Sequence, residues 1–497
     1  MGQRTYRNKL RRYQRLRQNQ TEQQYEYLTE RHVICPSHPK YAVLDHFSHL
    51  ANNVYNQGLY RARQALFKGE WLSYQKLDAS LKKSKRQKDS MIYGSMSNVH
   101  LVQQQLKLVA RSMDSWNKAR KAYAKNPGKF TGRPKLPKYR TKGGLSTIIV
   151  DNQTAKLRKN GYVEIPCMDK FKVKLAHPET TAIQEVRIVP QNRRFIVEVV
   201  YKTNRVTQYK PDNGRYLGID PGVNNAFTLA TNVPGITPVI INGKPVKSVN
   251  QFYNKQRARL TSLYTRLGQS RVSHRLARLD FYRNQKMSRF AHEASKRIVD
   301  FALSHGLNTI IIGKNKGQKQ RSRMNKQNNQ NFIGIPHQVM INLIKHKANL
   351  AGIVVIQHSE AYTSQTSFLD REEPIRANGD QARKRKGLSP AKRRLKRGLY
   401  RADTGQQINA DVNGALQIIK KSSPECVCGR DSGHRIMSSQ MVLAILGSTI
   451  SKRFRKKFNC RTDRKVVPEK VVTRRWTLAL SVDGLIKVGC EQGLPKP

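Results

Sequence analysis

The chain has 497 residues, long enough for two to four domains with cores of their own, and 94 Lys and Arg against 32 Asp and Glu give it a formal net charge of +62. No stretch approaches 18 consecutive apolar residues, and Met1-Gly2-Gln3-Arg4 carries no apolar signal core. A membrane span and export are therefore not expected, and a soluble, cytoplasmic (nucleoid-acting, prokaryotic) protein is. The positive charge is spread over the whole length and needs a polyanion, which a long nucleic acid supplies better than a membrane patch; a hydrophobic content of 37% is low but sufficient for folding.

Residues 4–17 hold seven Lys or Arg and read as a basic arm, and Val33-Ile34 and Ala42-Val43 as early strand pieces, so 1–43 forms a first segment. Within 44–127 the period becomes helical. Phe47, Leu50, Ala51, Val54 and Ala62 keep it from 44 to 68. Val99, Val102, Leu106, Val109, Met113 and Trp116 then step by three and four, which predicts the core stripe of a helical, recognition-type bundle. Lys107, Arg111, Lys118 and Arg120 lie on its other faces, where a duplex could run.

Pro127-Gly128 ends the helix. In the basic stretch that follows, Pro134 and Pro137 argue against another one. Lys129, Phe130, Arg133, Lys138 and Tyr139 read either as a strand-binding linker, with aromatics to stack on bases and cations to hold the backbone, or as a merely basic connection. From 145 to 201 the period is two. Candidate strands at 145–150, 162–166, 171–175, 182–189 and 193–201 predict a small β-barrel, wedge-like, over 128–212, with its linker and with the helical bundle inserted into it.

At 216–225 an apolar run ends in one acid, Tyr216-Leu217-Gly218-Ile219-Asp220, and a Pro-Gly turn leads into the return strand 226–231. Residues 248–304 are largely helical, with Phe290, Ala291, Ala294, Ile298, Phe301 and Ala302 as the buried stripe. A strand at 309–313, a helix at 336–350 and a strand at 352–358 follow, the last running into Ser359-Glu360. The basic segment 383–397 precedes a helix whose apolar positions 412, 415, 416 and 419 share a face, with Asp411 in its first turn. This is an α/β layer pattern over 213–423. Were the first strand central, Asp220, Glu360 and Asp411 would converge at one end of the sheet. There they would hold two Mg²⁺ (or Mn²⁺) ions about 4 Å apart and activate water against a phosphodiester. The tail 424–497 carries no motif. The six cysteines show no disulfide framework, and Cys35-x-x-His38 and Cys426-x-Cys428 are each half a zinc site without a partner half.

Gly218-Ile219-Asp220-Pro221-Gly222, Tyr362-Thr363-Ser364-Gln365-Thr366 and Asn409-Ala410-Asp411-Val412-Asn413-Gly414-Ala415 resemble RuvC segments of the TnpB family, transposon-encoded RNA-guided nucleases related to the compact type V CRISPR effectors. The resemblance covers roughly 215–420. It implies a multidomain α/β protein with an RNase H-like RuvC nuclease domain beside the barrel and its inserted bundle. As partners it implies a guide RNA, a target duplex with a short adjacent motif, and a displaced single strand, with cleavage after R-loop formation. Two departures stand out. Gly313 occupies the place of the family's usual glutamate, and the nearest acid, Glu360, ends the neighbouring strand; since adjacent strands lie about 4.8 Å apart, it could stand in. An RNA-guided binder with a lapsed nuclease site, or a guide-free transposon-associated nuclease, are the alternatives. The family's four zinc-binding cysteines are replaced by Ser367, Asp370, Arg401 and Thr404, so no zinc is expected in a degenerate ribbon at about 366–405. Phe368, Leu369, Leu399 and Tyr400 would hold that loop together instead. Its Arg383, Lys384, Arg385, Lys386, Arg393 and Arg394 would contact nucleic acid.

Overall fold

A computed structural model describes residues 25–86, 92–176, 182–206, 208–268, 273–314, 325–374, 393–396, 398–422 and 441–443. The basic arm at 4–17, the cluster Arg383–Lys386 and Cys426, Cys428, Cys460 and Cys490 lie outside these residues. The described chain divides into two units, 25–205 and 206–443.

In the first unit, strand β1 (Tyr25–Ile34) is followed by helices α1 (Tyr41–Phe67), α2 (Tyr74–Arg86) and α3 (Val99–Lys125). Then come β2 (Ile148–Asp151), β3 (Lys156–Leu157), β4 (Tyr162–Ile165), β5 (Phe171–Lys174), β6 (Ala182–Gln191) and β7 (Arg194–Val206). The strands pair into two sheets, ordered β1-β7-β6-β2 and β3-β4-β5. Because β1 belongs to the first sheet, the three helices are an insertion into it. Ala42 and Val43, expected to extend a strand, are instead the first turn of α1. The α3 stripe is buried at Val102, Leu106, Val109 and Met113, but Val99 at the helix start is 44% exposed, outside the core its spacing suggested. Leu44, Phe47, Ala51, Val54, Leu59 and Ala62 of α1 share that core, and the two helices cross closely. A Cβ on Gly58 would stand 2.7 Å from Leu106 Cδ2. The segment entering β2 is tied to α1 by polar side chains: Asn56 donates to Arg140 O at 3.0 Å and accepts from its N–H at 2.8 Å, and Ser48 Oγ donates to Ser146 O at 2.6 Å.

The second unit holds β8 (Tyr216–Pro221), β9 (Asn225–Thr231), β10 (Val239–Asn242), α4 (Lys244–Arg266), α5 (His274–Ser304), β11 (Thr309–Gly313), α6 (Lys326–Gly334), α7 (His337–Leu350) and β12 (Val354–His358). The short strands β13 (Arg394–Lys396), β14 (Leu399–Arg401) and β15 (Gln407–Asn409), helix α8 (Ala410–Ser422) and β16 (Met441–Leu443) complete it. A six-stranded sheet runs β12-β11-β8-β9-β10-β16. β8, β11 and β12 are parallel, β8-β9-β10 antiparallel, and β16 joins β10 in parallel, so part of the tail that carried no sequence signal is a strand of this sheet. The continuous apolar runs Thr309–Gly313 and Val354–Ile356 are what strands covered on both faces require. Leu217, Ile219, Ile310 and Ile312 share a core with Phe290, Ala294, Ile298, Met340 and Ile344 of α5 and α7; Tyr216 and Ile311 share one with Ile418 and Ile419 of α8. Among the described residues no helix is long and apolar enough to cross a membrane.

Candidate carboxylate site at the end of the central strands

Asp220 sits near the end of β8, in register with Thr228 of β9. α8 packs tightly over this strand. A Cβ on Gly218 would lie 2.4 Å from Ala415 O, and one on Gly414 would lie 2.9 Å from Asp220 Oδ2. Only side chains of one hydrogen allow that approach, which brings the start of α8, and with it Asp411, beside Asp220. Asn409 caps the helix, its Oδ1 accepting from Asp411 N–H at 2.9 Å and Val412 N–H at 3.3 Å. An acid in this first turn also sits favourably against the helix dipole. Asn225, at the start of β9, donates to Asp411 Oδ2 at 2.7 Å and so fixes the direction of that carboxylate.

Glu360 arrives from β12 across the end of β11. A Cβ added at Gly313 would stand 3.0 Å from Glu360 Oε2, 3.1 Å from Glu360 Cβ and 2.5 Å from Ile418 Cδ1. The Glu360 side chain thus lies over Gly313, the position where the family resemblance expects a glutamate. Its backbone is held by Thr363, whose Oγ1 donates to Glu360 O at 2.9 Å, while Lys421 Nζ donates to Ala361 O at 2.7 Å. Tyr362 turns the chain here with φ of 65°, an uncommon conformation for an aromatic residue and a local strain beside the acids.

Two of the carboxylates act on the third. Protein crowds Asp220 enough that desolvation pushes its pKa well above the usual carboxylate range; the charges of Glu360 and then Asp411 push it further, and Arg394 partly offsets them. Among the described residues no group of three or more His, Cys, Asp or Glu side chains stands at ready-made metal-ligand spacing. The donor set still fits a hard divalent cation, being all oxygen and already under mutual repulsion that a cation would relieve.

The remaining predicted residues are placed differently. In the first unit Lys129, Arg133, Lys138 and Tyr139 are exposed, Phe130 packs edge-on to Tyr123 with centroids 5.7 Å apart, and the Arg63 guanidinium lies 4.9 Å from the Tyr139 ring centroid. Arg394 is exposed. Arg393 is not the surface contact expected: it is 1% exposed and bound by Glu372 and Asp403, which its basic neighbours in sequence conceal. His38, half of a candidate zinc pair, accepts from Lys40 N–H at 3.1 Å in the turn before α1, and Cys35 O accepts from His38 N–H at 2.9 Å. Three supporting residues were not singled out from the sequence: Asn225, Asn409, and His337, whose Nε2 lies 2.8 Å from Gly222 O in the β8–β9 turn. Asn409 carried a readable signal, a cap residue just before an apolar-periodic helix.

Sheet order and site define a mixed α/β protein with an acidic cluster at the end of its central strands. The family model OrfB_IS605, described as a probable transposase, matches residues 197–319, and the model described as Cas12f1-like, TNB domain, matches 337–418. Together they support a TnpB-like family related to type V effectors. No curated protein matches it. Two solved structures share 15% identity with it at a TM-score of 0.31, a likeness too slight to fix the fold. A Cas12f1–sgRNA–target DNA complex covers 80% of this chain and 100% of its own, and a CRISPR–Cas12f ternary complex covers 77% and 81%.

Proposed function

We propose that this protein is an RNA-guided DNA endonuclease that binds a guide RNA, engages a target duplex next to a short motif, and cleaves DNA with Asp220, Glu360 and Asp411. The observation that carries the reading is the Glu360 side chain lying over Gly313 beside two further acids in unbroken motifs. A carboxylate is present where the strand that usually supplies it has none. The net charge of +62 suits a polyanionic partner, and the two family matches supply the class. On this reading the second unit is the RNase H-like RuvC domain, and the first is a wedge-like barrel with an inserted recognition bundle. Lys129, Phe130, Arg133, Lys138, Tyr139 and Arg394 are its nucleic-acid contacts, on the guide RNA, the target duplex or the displaced strand.

The three acids would hold Mg²⁺ or Mn²⁺, which when bound supplies an activated water and stabilises charge on the phosphate oxygens. The chain's own contribution is placement. Asn225 holds one oxygen of Asp411 and leaves the other available, and Asn409 fixes the turn from which that acid projects. Burial and the two neighbouring acids raise the Asp220 pKa, a shift that a bound cation would oppose.

The test is cleavage of a plasmid by the protein purified with its own RNA, with Mg²⁺ and with EDTA, on targets taken from the sequenced 3′ ends of that RNA beside a randomised flank. Mg²⁺-dependent cutting that is lost in Glu360→Ala supports the reading. Tight RNA-dependent binding without cutting would leave a guided binder, and sequence-specific cutting without RNA a guide-free nuclease.

A further inference from the structure

The loop between Glu360 and Asp411 lacks every cysteine of a zinc ribbon, yet its described parts, 361–374, 393–396 and 398–409, are joined by a network centred on one buried side chain. Arg393 has five N–H donors, and all five are used. Nη1 and Nη2 reach Glu372 Oε2 and Oε1 at 2.6 and 2.8 Å. Nε and Nη2 reach Asp403 Oδ1 and Oδ2 at 3.2 and 2.6 Å, and Nη1 donates to Tyr400 Oη at 3.3 Å. The carboxylates extend the link into the backbone. Glu372 Oε2 accepts from Ser367 N–H at 2.8 Å, and Asp370 accepts from Asp403 N–H at 3.1 and 2.9 Å. Ser367 and Asp370, two of the four positions where the resemblance expects zinc ligands, are thus part of the network.

The first half of the loop is tied in turn to the helix that carries Asp411. Phe368 N–H donates to Asn413 Oδ1 and Asn413 Nδ2 to Thr366 O, both at 2.9 Å, while Lys420 Nζ donates to Arg371 O at 2.7 Å. Phe368, Tyr400, Ile408, Val412 and Leu416 close one apolar cluster around the joint. A buried cation is tolerated when its charge and every donor are matched, and a planar guanidinium can hold two carboxylates with paired N–H donors to each, which an ammonium cannot.

We propose that Arg393 is a positioning residue. Its two-sided ion pair takes the place of a metal cross-link in this loop and sets Asp411 relative to Glu360. The consequence for cation binding rests on the nuclease reading above; the consequence for the loop does not.

The test uses the full chain with its copurified RNA and three variants: Arg393→Met, Arg393→Lys and the milder Glu372→Gln. Three quantities are read: melting temperature, hydrogen exchange over 366–372 and 410–414, and the Mn²⁺ concentration that half-saturates the protein by electron paramagnetic resonance. In Arg393→Met, measured well below its melting temperature, exchange in both segments is expected to quicken about tenfold or more, and the Mn²⁺ midpoint to rise by roughly ten- to a hundredfold. Arg393→Lys is expected to follow it, and Glu372→Gln to fall between. A lower melting temperature with unchanged exchange and Mn²⁺ midpoint would overturn the proposal, leaving Arg393 a stabilising residue only. Wild-type values in Arg393→Lys would overturn the bridging role. If Arg393→Met does not fold, Glu372→Gln decides on the same two readouts. Absence of Mn²⁺ binding in the wild type would count against the nuclease reading, and the exchange data would still judge the cross-link.

Discussion

The end of β11 and the loop between Glu360 and Asp411 are both places where this chain lacks what the family resemblance leads one to expect, and the two differ in what is kept. At β11 a side chain is missing and a carboxylate from the next strand lies over the gap. In the loop the four soft ligands that the resemblance expects are absent, and a guanidinium with two carboxylates joins its described parts. A site that must bind a hard cation has to retain oxygen donors, wherever in the sheet they come from. A cross-link has to retain only its geometry, so its chemistry is free to change.

The comparison can be broken most sharply at the acids. Asp220→Asn or Glu360→Ala is expected to lower plasmid cleavage on the order of 10³-fold, as loss of charge stabilisation at a reacting centre does; tenfold or less in a quantitative time course would remove Glu360 from the site. Asn225→Ala, which frees Asp411 Oδ2, is expected to cost roughly 10- to 100-fold in activity and to raise the Mg²⁺ concentration needed for it. In the loop the larger effect is on stability. Arg393→Met removes the cation that Glu372 and Asp403 share, and a loss of about 3 kcal/mol in urea unfolding is expected, the low end of the range for a broken buried pair because both acids keep some solvent. Added zinc is expected to restore none of it.

The smallest effect sharpens the contrast between a buried cation paired with two carboxylates and one without a carboxylate in hydrogen-bond contact. Lys347 of α7 donates to the backbone of His292, and burial lowers its pKa to about 8, with the Asp300 charge opposing the shift. Below pH 8 the lysine is charged in both folded and unfolded chains, and the folded one carries the burial cost. From about 8 towards 10.5 only the unfolded chain holds the proton, so stability rises with pH. Lys347→Met is expected to melt higher than wild type at pH 7, with the gap narrowing towards pH 10.

Much of the second unit was legible because its pattern is strong. The apolar run Ile310–Ile312 marks β11, which spans Thr309–Gly313; the 412, 415, 416, 419 spacing marks α8, which is in fact buried on nearly every side. Helix α2 gives little apolar signal because Leu77 and Leu81 are its only buried hydrophobic residues in a Lys- and Ser-rich stretch. The acids were legible as acids at strand and helix ends, whereas the fit of Glu360 over Gly313 depends on strand pairing between distant segments. The buried state of Arg393 is hidden for a related reason. Inside a basic run a cation reads as solvated, and nothing local reveals that Glu372 and Asp403 enclose it. β16 is three residues long and owes its state to the edge of β10, so its own sequence could not announce it.

The central claim, that Glu360 occupies the place vacated at Gly313, is tested most directly by exchanging the two positions. Gly313→Glu alone puts a second side chain where Glu360 already lies and is expected to abolish cutting. Glu360→Ala alone removes the acid. Gly313→Glu with Glu360→Ala returns the carboxylate to β11, and the account predicts Mg²⁺-dependent plasmid cleavage recovered well above either single variant. Full cleavage by Glu360→Ala on its own, or a double variant no more active than the singles despite a native melting temperature, would contradict it.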